Sequence, residues 1–104
     1  MIATGMRLTV FLKSVSGNRV FRQSHLSLYS ALLVSHERAR GANPFRISRR
    51  ELMAQSAIRS FATYHKCITD LVEGGYIQYE PSYHPSLGSG VTLLDAFNND
   101  MGSA

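Results

Sequence analysis

Residues 45–79, FRISRRELMAQSAIRSFATYHKCITDLVEGGYIQY, decide the fold. Ser48-Arg-Arg-Glu51 is a capping box, in which the Ser48 hydroxyl can accept from the Glu51 backbone N–H and the Glu51 carboxylate can reach back to the Ser48 N–H. Helix is expected from Arg49 to Ala57, with a break near Ile58-Arg59. A second cap at Ser60 opens a longer helix to Glu73. Gly74-Gly75 ends it, because glycine accepts the left-handed conformation that closes a helix C-terminus. Phe45-Arg46-Ile47 is a short strand before the first cap, and Tyr76–Glu80 restarts as a strand after the glycines.

This order is that of a helix-turn-helix, which points to nucleic acid. At about 100° per residue, Phe61, Tyr64, Ile68, Leu71 and Val72 of the longer helix form a core-facing stripe, flanked by Cys67. The opposite arc carries Arg59, Ala62, Thr63, Lys66, Thr69 and Asp70. Its N-terminal part is small, hydroxylated and positive, which suits a helix whose first turns enter a major groove. Residue by residue, the solvated face of an ordinary amphipathic helix would look the same. The whole arrangement of caps, turn, stripe and strand favours DNA.

Ser60-x-x-Thr63-Tyr64-x-Lys66-x-Ile68-x-x-Leu71-x-x-x-Gly75-Tyr76-Ile77 resembles the recognition helix and following strand of winged-helix transcription factors. The resemblance implies that Ser60, Thr63 and Lys66 contact DNA while the aliphatic positions pack inward. Leu26-Ser27-Leu28-Tyr29-x-Ala31-Leu32, Thr63-Tyr64-His65-Lys66-Cys67 and Pro81-Ser82-Tyr83-x-Pro85 are similar to small helix-turn-helix or regulatory proteins of bacterial mobile and conjugative elements. The resemblance covers roughly Ser24 to Leu94, and it implies a fold more than a particular role.

The chain has 104 residues, enough for one domain with a modest core. A hydrophobic fraction of 44% and a charged fraction of 17% suit a folded chain. The net charge of +4 is unevenly spread. Residues 1–66 hold all 11 Lys and Arg, with Glu37 and Glu51 as the only acids. Residues 67–104 hold five acids (Asp70, Glu73, Glu80, Asp95, Asp100) and no Lys or Arg. One basic surface facing a polyanion would explain this, although ordinary solubility would too.

Outside the central stretch, Leu8, Val10 and Leu12 alternate with Arg7, Thr9, Phe11 and Lys13. Ser16-Gly17-Asn18 is a plausible turn, and Arg19–Arg22 could return as a second strand. Residues 1–23 are therefore expected to be an extension containing a β-hairpin, which must lie on the domain or pair with another copy. Ser24 is expected to cap a helix running to about Arg40. Leu28, Leu32, Ala31 and Ser35 of that helix would face inward, with Leu26, Leu33 and Val34 broadening the apolar surface. That breadth suggests a homodimer through the extension and this helix, or a hairpin folded back on its own domain. Tyr76–Glu80 and Gly90–Leu94 would form the wing. The loop between them has no Lys or Arg but offers hydroxyls, backbone N–H groups and His84, with Tyr83 as an anchor. Residues 24–95 make the domain, and 96–104 are expected to be a frayed tail.

The four histidines are scattered without a ligand pair, so no metal site is expected. No phosphate loop or nucleophile elbow occurs, and neither enzyme activity nor a cofactor is expected. Cys67 is the only cysteine, which excludes an intramolecular disulfide and fits a reducing cytoplasm. The run Leu8–Leu12 is too short for a signal-peptide core or a membrane span. The expected class is α+β: a winged helix-turn-helix of three helices plus a small antiparallel wing sheet, with an N-terminal β-hairpin extension. Helix 60–73 would enter the major groove of double-stranded DNA. Arg59, Ser60, Thr63 and Lys66 would lie at its surface, Arg49 and Arg50 on flanking phosphates, and His84 on the wing. The role would be transcriptional regulation, or control of a mobile element's excision, transfer or replication. The alternative is a winged-helix module that docks a protein without touching DNA.

Overall fold

In a computed structural model of the chain, residues 4–82 and 88–94 are described. They form an α+β domain with the order α1 (Thr4–Val15), α2 (Gln23–Arg38), β1 (Phe45–Ile47), α3 (Arg49–Ser56), α4 (Phe61–Glu73), β2 (Ile77–Glu80) and β3 (Ser89–Leu93). The sheet is antiparallel, with β3 between β1 and β2. Phe45 and Tyr79 both register with Val91, and Ile77 with Leu93. α2 is the central helix, packed against α1, α3, α4 and β1. Leu28 and Leu32 of α2, Leu52 of α3, Tyr64 and Leu71 of α4, and Ile77 and Val91 of the sheet are all enclosed in one core.

The caps of α3 and α4 form at the two serines where the sequence places them. Ser48 Oγ accepts from the Glu51 N–H, and Ser60 Oγ accepts from the Thr63 N–H, each at 3.3 Å. Each bond satisfies one of the donors that a helix start leaves open. Between the two helices, Ala57 takes the left-handed conformation and closes α3. α4 ends through Gly75, the left-handed residue, while Gly74 is still helical. β2 and β3 each lie within a residue of their expected bounds.

The N-terminal segment differs from expectation: residues 4–15 are helix, not the first strand of a hairpin. The alternation of Leu8, Val10 and Leu12 competes with a helical spacing that joins Arg7, Phe11 and Val15, and the second periodicity wins. It places Phe11 against α2, 1% exposed, and leaves Leu12 45% exposed. Phe11 stacks on Tyr29 at 4.2 Å and meets the edges of Phe21 and Tyr76 at 6.1 and 4.9 Å. Aromatic pairs of this kind are worth about 0.5–1.5 kcal/mol each beyond burial. α1 runs antiparallel to α2, and Thr4 Oγ1 donates to Glu37 near the far end. The chain does turn at Gly17, with φ +78, but it leads into α2 and not into a return strand. α1 thus covers the side of α2 that carries Tyr29, while Val34, on another side of α2, stays 42% exposed.

α2 begins one residue before Ser24, with Arg22 as its cap residue. The Arg22 N–H donates to His25 Nδ1 at 2.9 Å. Because Nδ1 accepts, the proton of the neutral ring lies on Nε2, which donates to Asp70 Oδ2 at 2.7 Å. This explains another departure. Asp70, expected on the outer arc of α4, is buried at 9% exposure by the N-terminus of α2. The buried side of α4 is Tyr64, Cys67, Ile68 and Leu71, whereas Phe61 and Val72, expected in the core, are 60% and 40% exposed. The inward arc is centred nearer Cys67 than the apolar residues alone suggest. Tyr83 and His84, with the tail from Ala96, lie outside the described residues.

Candidate nucleic-acid interface

An open groove of about 1210 Å³ runs between the start of α3, the turn into α4 and the base of the β2–β3 hairpin. Arg46, Arg49 and Arg50 line one side, Arg59 the turn, Phe61 and His65 the α4 side, and Tyr79, Pro81, Ser82, Gly88 and Ser89 the hairpin side. No Asp or Glu among the described residues lines it. Ser48 and Phe61 border the groove, so the N-termini of both α3 and α4 lie at it. Their open N–H groups and partial positive charge add to four guanidinium groups, an arrangement that attracts anions.

Local structure fixes these positions. In β1, Phe45 and Ile47 are buried and Arg46 between them points outward, as a strand's alternation requires. Arg46 Nη1 donates to the Gly88 carbonyl oxygen at 3.5 Å, tying β1 to the hairpin base. Gly88 has φ +67, and a Cβ there would sit 2.5 Å from the Ile47 carbonyl oxygen, so only glycine fits without movement. Tyr79 Oη donates to Ser89 Oγ at 3.0 Å and braces the same end. Arg49 carries its guanidinium carbon 4.6 Å above the Phe61 ring centroid, which orients both side chains across the α3–α4 turn.

Arg49, Arg50 and Arg59 meet in this groove, and all three are exposed. Ser60, Thr63 and Lys66 are exposed but do not line it. Thr63 and Lys66 are instead exposed on the side of α4 that also carries Asp70, and Ser60 Oγ is engaged in capping. Lys66 Nζ lies 3.3 Å from Asp70 Oδ2 with its side chain 67% exposed, so it can exchange that partner for another anion at small cost. Arg46, Phe61 and His65 were missed. Arg46 was visible in the Phe-Arg-Ile alternation, whereas Phe61 needed the packing of α3 to show that it escapes the core.

Three titratable groups of α4 are shifted by their surroundings. Burial pushes the Cys67 thiol up, keeping it protonated, and the thiol donates to Ser24 Oγ at 3.6 Å. Burial, then the neighbouring Tyr79, raises the Tyr64 phenol, so it stays neutral. The hydrogen bond from His25, then Lys66, holds the Asp70 carboxyl below its ordinary value against the opposing effect of burial. Among the described residues, no group of three or more His, Cys, Asp or Glu could hold a metal ion. No described helix is long and apolar enough to cross a membrane. Compared with known protein families, characterised proteins and solved structures, this chain matches none.

Proposed function

We propose that the chain is a winged helix-turn-helix protein that binds double-stranded DNA in a sequence-specific manner. α4 enters the major groove, and the β2–β3 hairpin serves as the wing. The observation that carries this reading is the groove, free of Asp and Glu among the described residues, where Arg46, Arg49, Arg50 and Arg59 converge with two helix N-termini and with Phe61 and His65 of α4. α4 has 13 residues, about 20 Å of helix, enough to lie across a major groove roughly 12 Å wide. Thr63 and Lys66 face base edges and phosphates, while the groove arginines grip the flanking backbone.

On this reading the protein acts as a transcriptional regulator or as an accessory factor of a mobile element, in keeping with the resemblance of its central motifs. A gel-shift comparison on a short mixed-sequence duplex tests it, with wild type set beside an Arg49→Ser, Arg50→Ser double variant. The reading predicts a marked loss of the shifted complex in the variant at unchanged helical content. A variant that shifts DNA as wild type does would remove the groove from the interface.

A further inference from the structure

Phe61 is the first residue of α4 and is 60% exposed at the mouth of the arginine groove. The Arg49 guanidinium covers one face of its ring. Even with that cover the residue stays 60% exposed, although a phenyl ring gains more by burial than most groups on this surface. A lone exposed apolar residue is commonplace. This one differs in its setting, because cations surround it and one of them holds the ring in place. Ala62 and Thr63, which follow it in the first turn, are also exposed.

In the major groove, thymine differs from every other base by its C5-methyl group, which proteins read by apolar contact. The residues that reach base edges come from the N-terminal turn of the inserted helix. Resting on the DNA-binding reading above, we propose that Phe61 is a specificity-determining residue that packs on the C5-methyl of a thymine. Arg49 positions it: the guanidinium fixes the ring from one side while its N–H edge remains free for a phosphate. If Phe61 merely strapped α3 to α4, its loss would weaken binding to all sequences alike. A methyl reader predicts a difference confined to one or two thymines.

The test uses the full chain and a pool of randomised duplexes, from which bound sequences are enriched. The enriched duplex is then remade with uracil replacing thymine one position at a time. The expected result is a loss of about fourfold in affinity at one or two positions, the worth of one buried methylene-sized group. Phe61→Ala should bind the thymine and uracil forms equally. Arg49→Ala should weaken the discrimination, because the ring loses the group that fixes it, and should also lower the log–log salt slope by about one. Duplex binding that is indifferent to uracil at every position overturns the inference and leaves the DNA reading standing. Discrimination that survives in Phe61→Ala overturns it too. Absence of any duplex binding overturns both. Because the uracil comparison is made on wild-type protein, its outcome does not depend on how well a variant folds, and Phe61→Leu offers a second, helix-compatible replacement.

Discussion

Replacing Asp70 with alanine should destabilise the domain out of proportion to its size. Asp70 Oδ2 accepts from His25 Nε2 at 2.7 Å, and His25 is 2% exposed. The other ring nitrogen is committed to the Arg22 N–H, so the ring cannot turn to find a new partner without uncapping α2. The variant therefore strands a buried donor as well as losing a charge-assisted hydrogen bond, together about 2–3 kcal/mol. The exposed Lys66 partner adds at most about 0.5 kcal/mol. In a domain whose total stability is about 5–15 kcal/mol, this is a large fraction. Urea denaturation at neutral pH should show it, and a thermal melt should fall by about 10 °C or more. Asp70→Asn keeps an acceptor for His25 and should cost less, about 1 kcal/mol. The double-mutant cycle with His25→Ala should return a coupling of about 1 kcal/mol or more. The pH dependence has a definite sign. A carboxyl held below its ordinary value in the folded state contributes stability above the unfolded value of about 4, and loses it as pH falls further. The gap between wild type and Asp70→Asn should be constant at neutral pH and close below about pH 4. A cost under about 0.5 kcal/mol for Asp70→Ala, or a cycle with no coupling, would refute the idea that this pair joins α2 to α4.

Leu71 is fully enclosed, and Leu71→Ala should cost about 2–5 kcal/mol by lost burial and the cavity left behind; a thermal melt superimposable on wild type would contradict the phase of α4. Gly88→Ala combines a left-handed backbone with a Cβ 2.5 Å from the Ile47 carbonyl oxygen, and should lower stability by about 1–3 kcal/mol in chemical denaturation. Lys66→Ala and Thr63→Ala should weaken duplex binding at unchanged melting temperature, with the salt slope reduced by about one only for the lysine. Anisotropy titrations at several salt concentrations separate the two effects, and wild-type behaviour of Lys66→Ala would remove the outward face of α4 from the interface.

The parts of the fold legible in the sequence are those written in local chemistry. Ser48 and Ser60 each lie three residues before the N–H they cap, and Gly75 closes α4 in a conformation that glycine favours. Phe45-Arg46-Ile47 alternates as a half-buried strand does. α1 was not legible in this way, because over a run this short Leu8, Val10 and Leu12 satisfy a strand period as well as Arg7, Phe11 and Val15 satisfy a helical one. The contacts with Tyr29 and Tyr76 break the tie, and these residues lie far along the chain. Asp70 was misjudged for a similar reason: it reads as a solvent-facing acid until His25, 45 residues earlier, is placed against it. Phe61 falls where an apolar stripe should bury it, yet the first turn of α4 projects past the core and meets Arg49 instead. Of the candidate site, the arginines of α3 and of the turn were evident from their place beside the caps. Their convergence with Arg46 depends on the β1–β3 pairing that brings Gly88 to the strand.

The central claim is that the arginine groove and the outward face of α4 hold double-stranded DNA, and the salt dependence of binding to a duplex tests it most directly. If Arg46, Arg49, Arg50, Arg59 and Lys66 each neutralise a phosphate, the log–log slope of affinity against salt should be about −4 to −5. A complex that persists unchanged as salt rises would contradict the account, as would the absence of any complex at low salt and protein concentrations on the order of tens of micromolar.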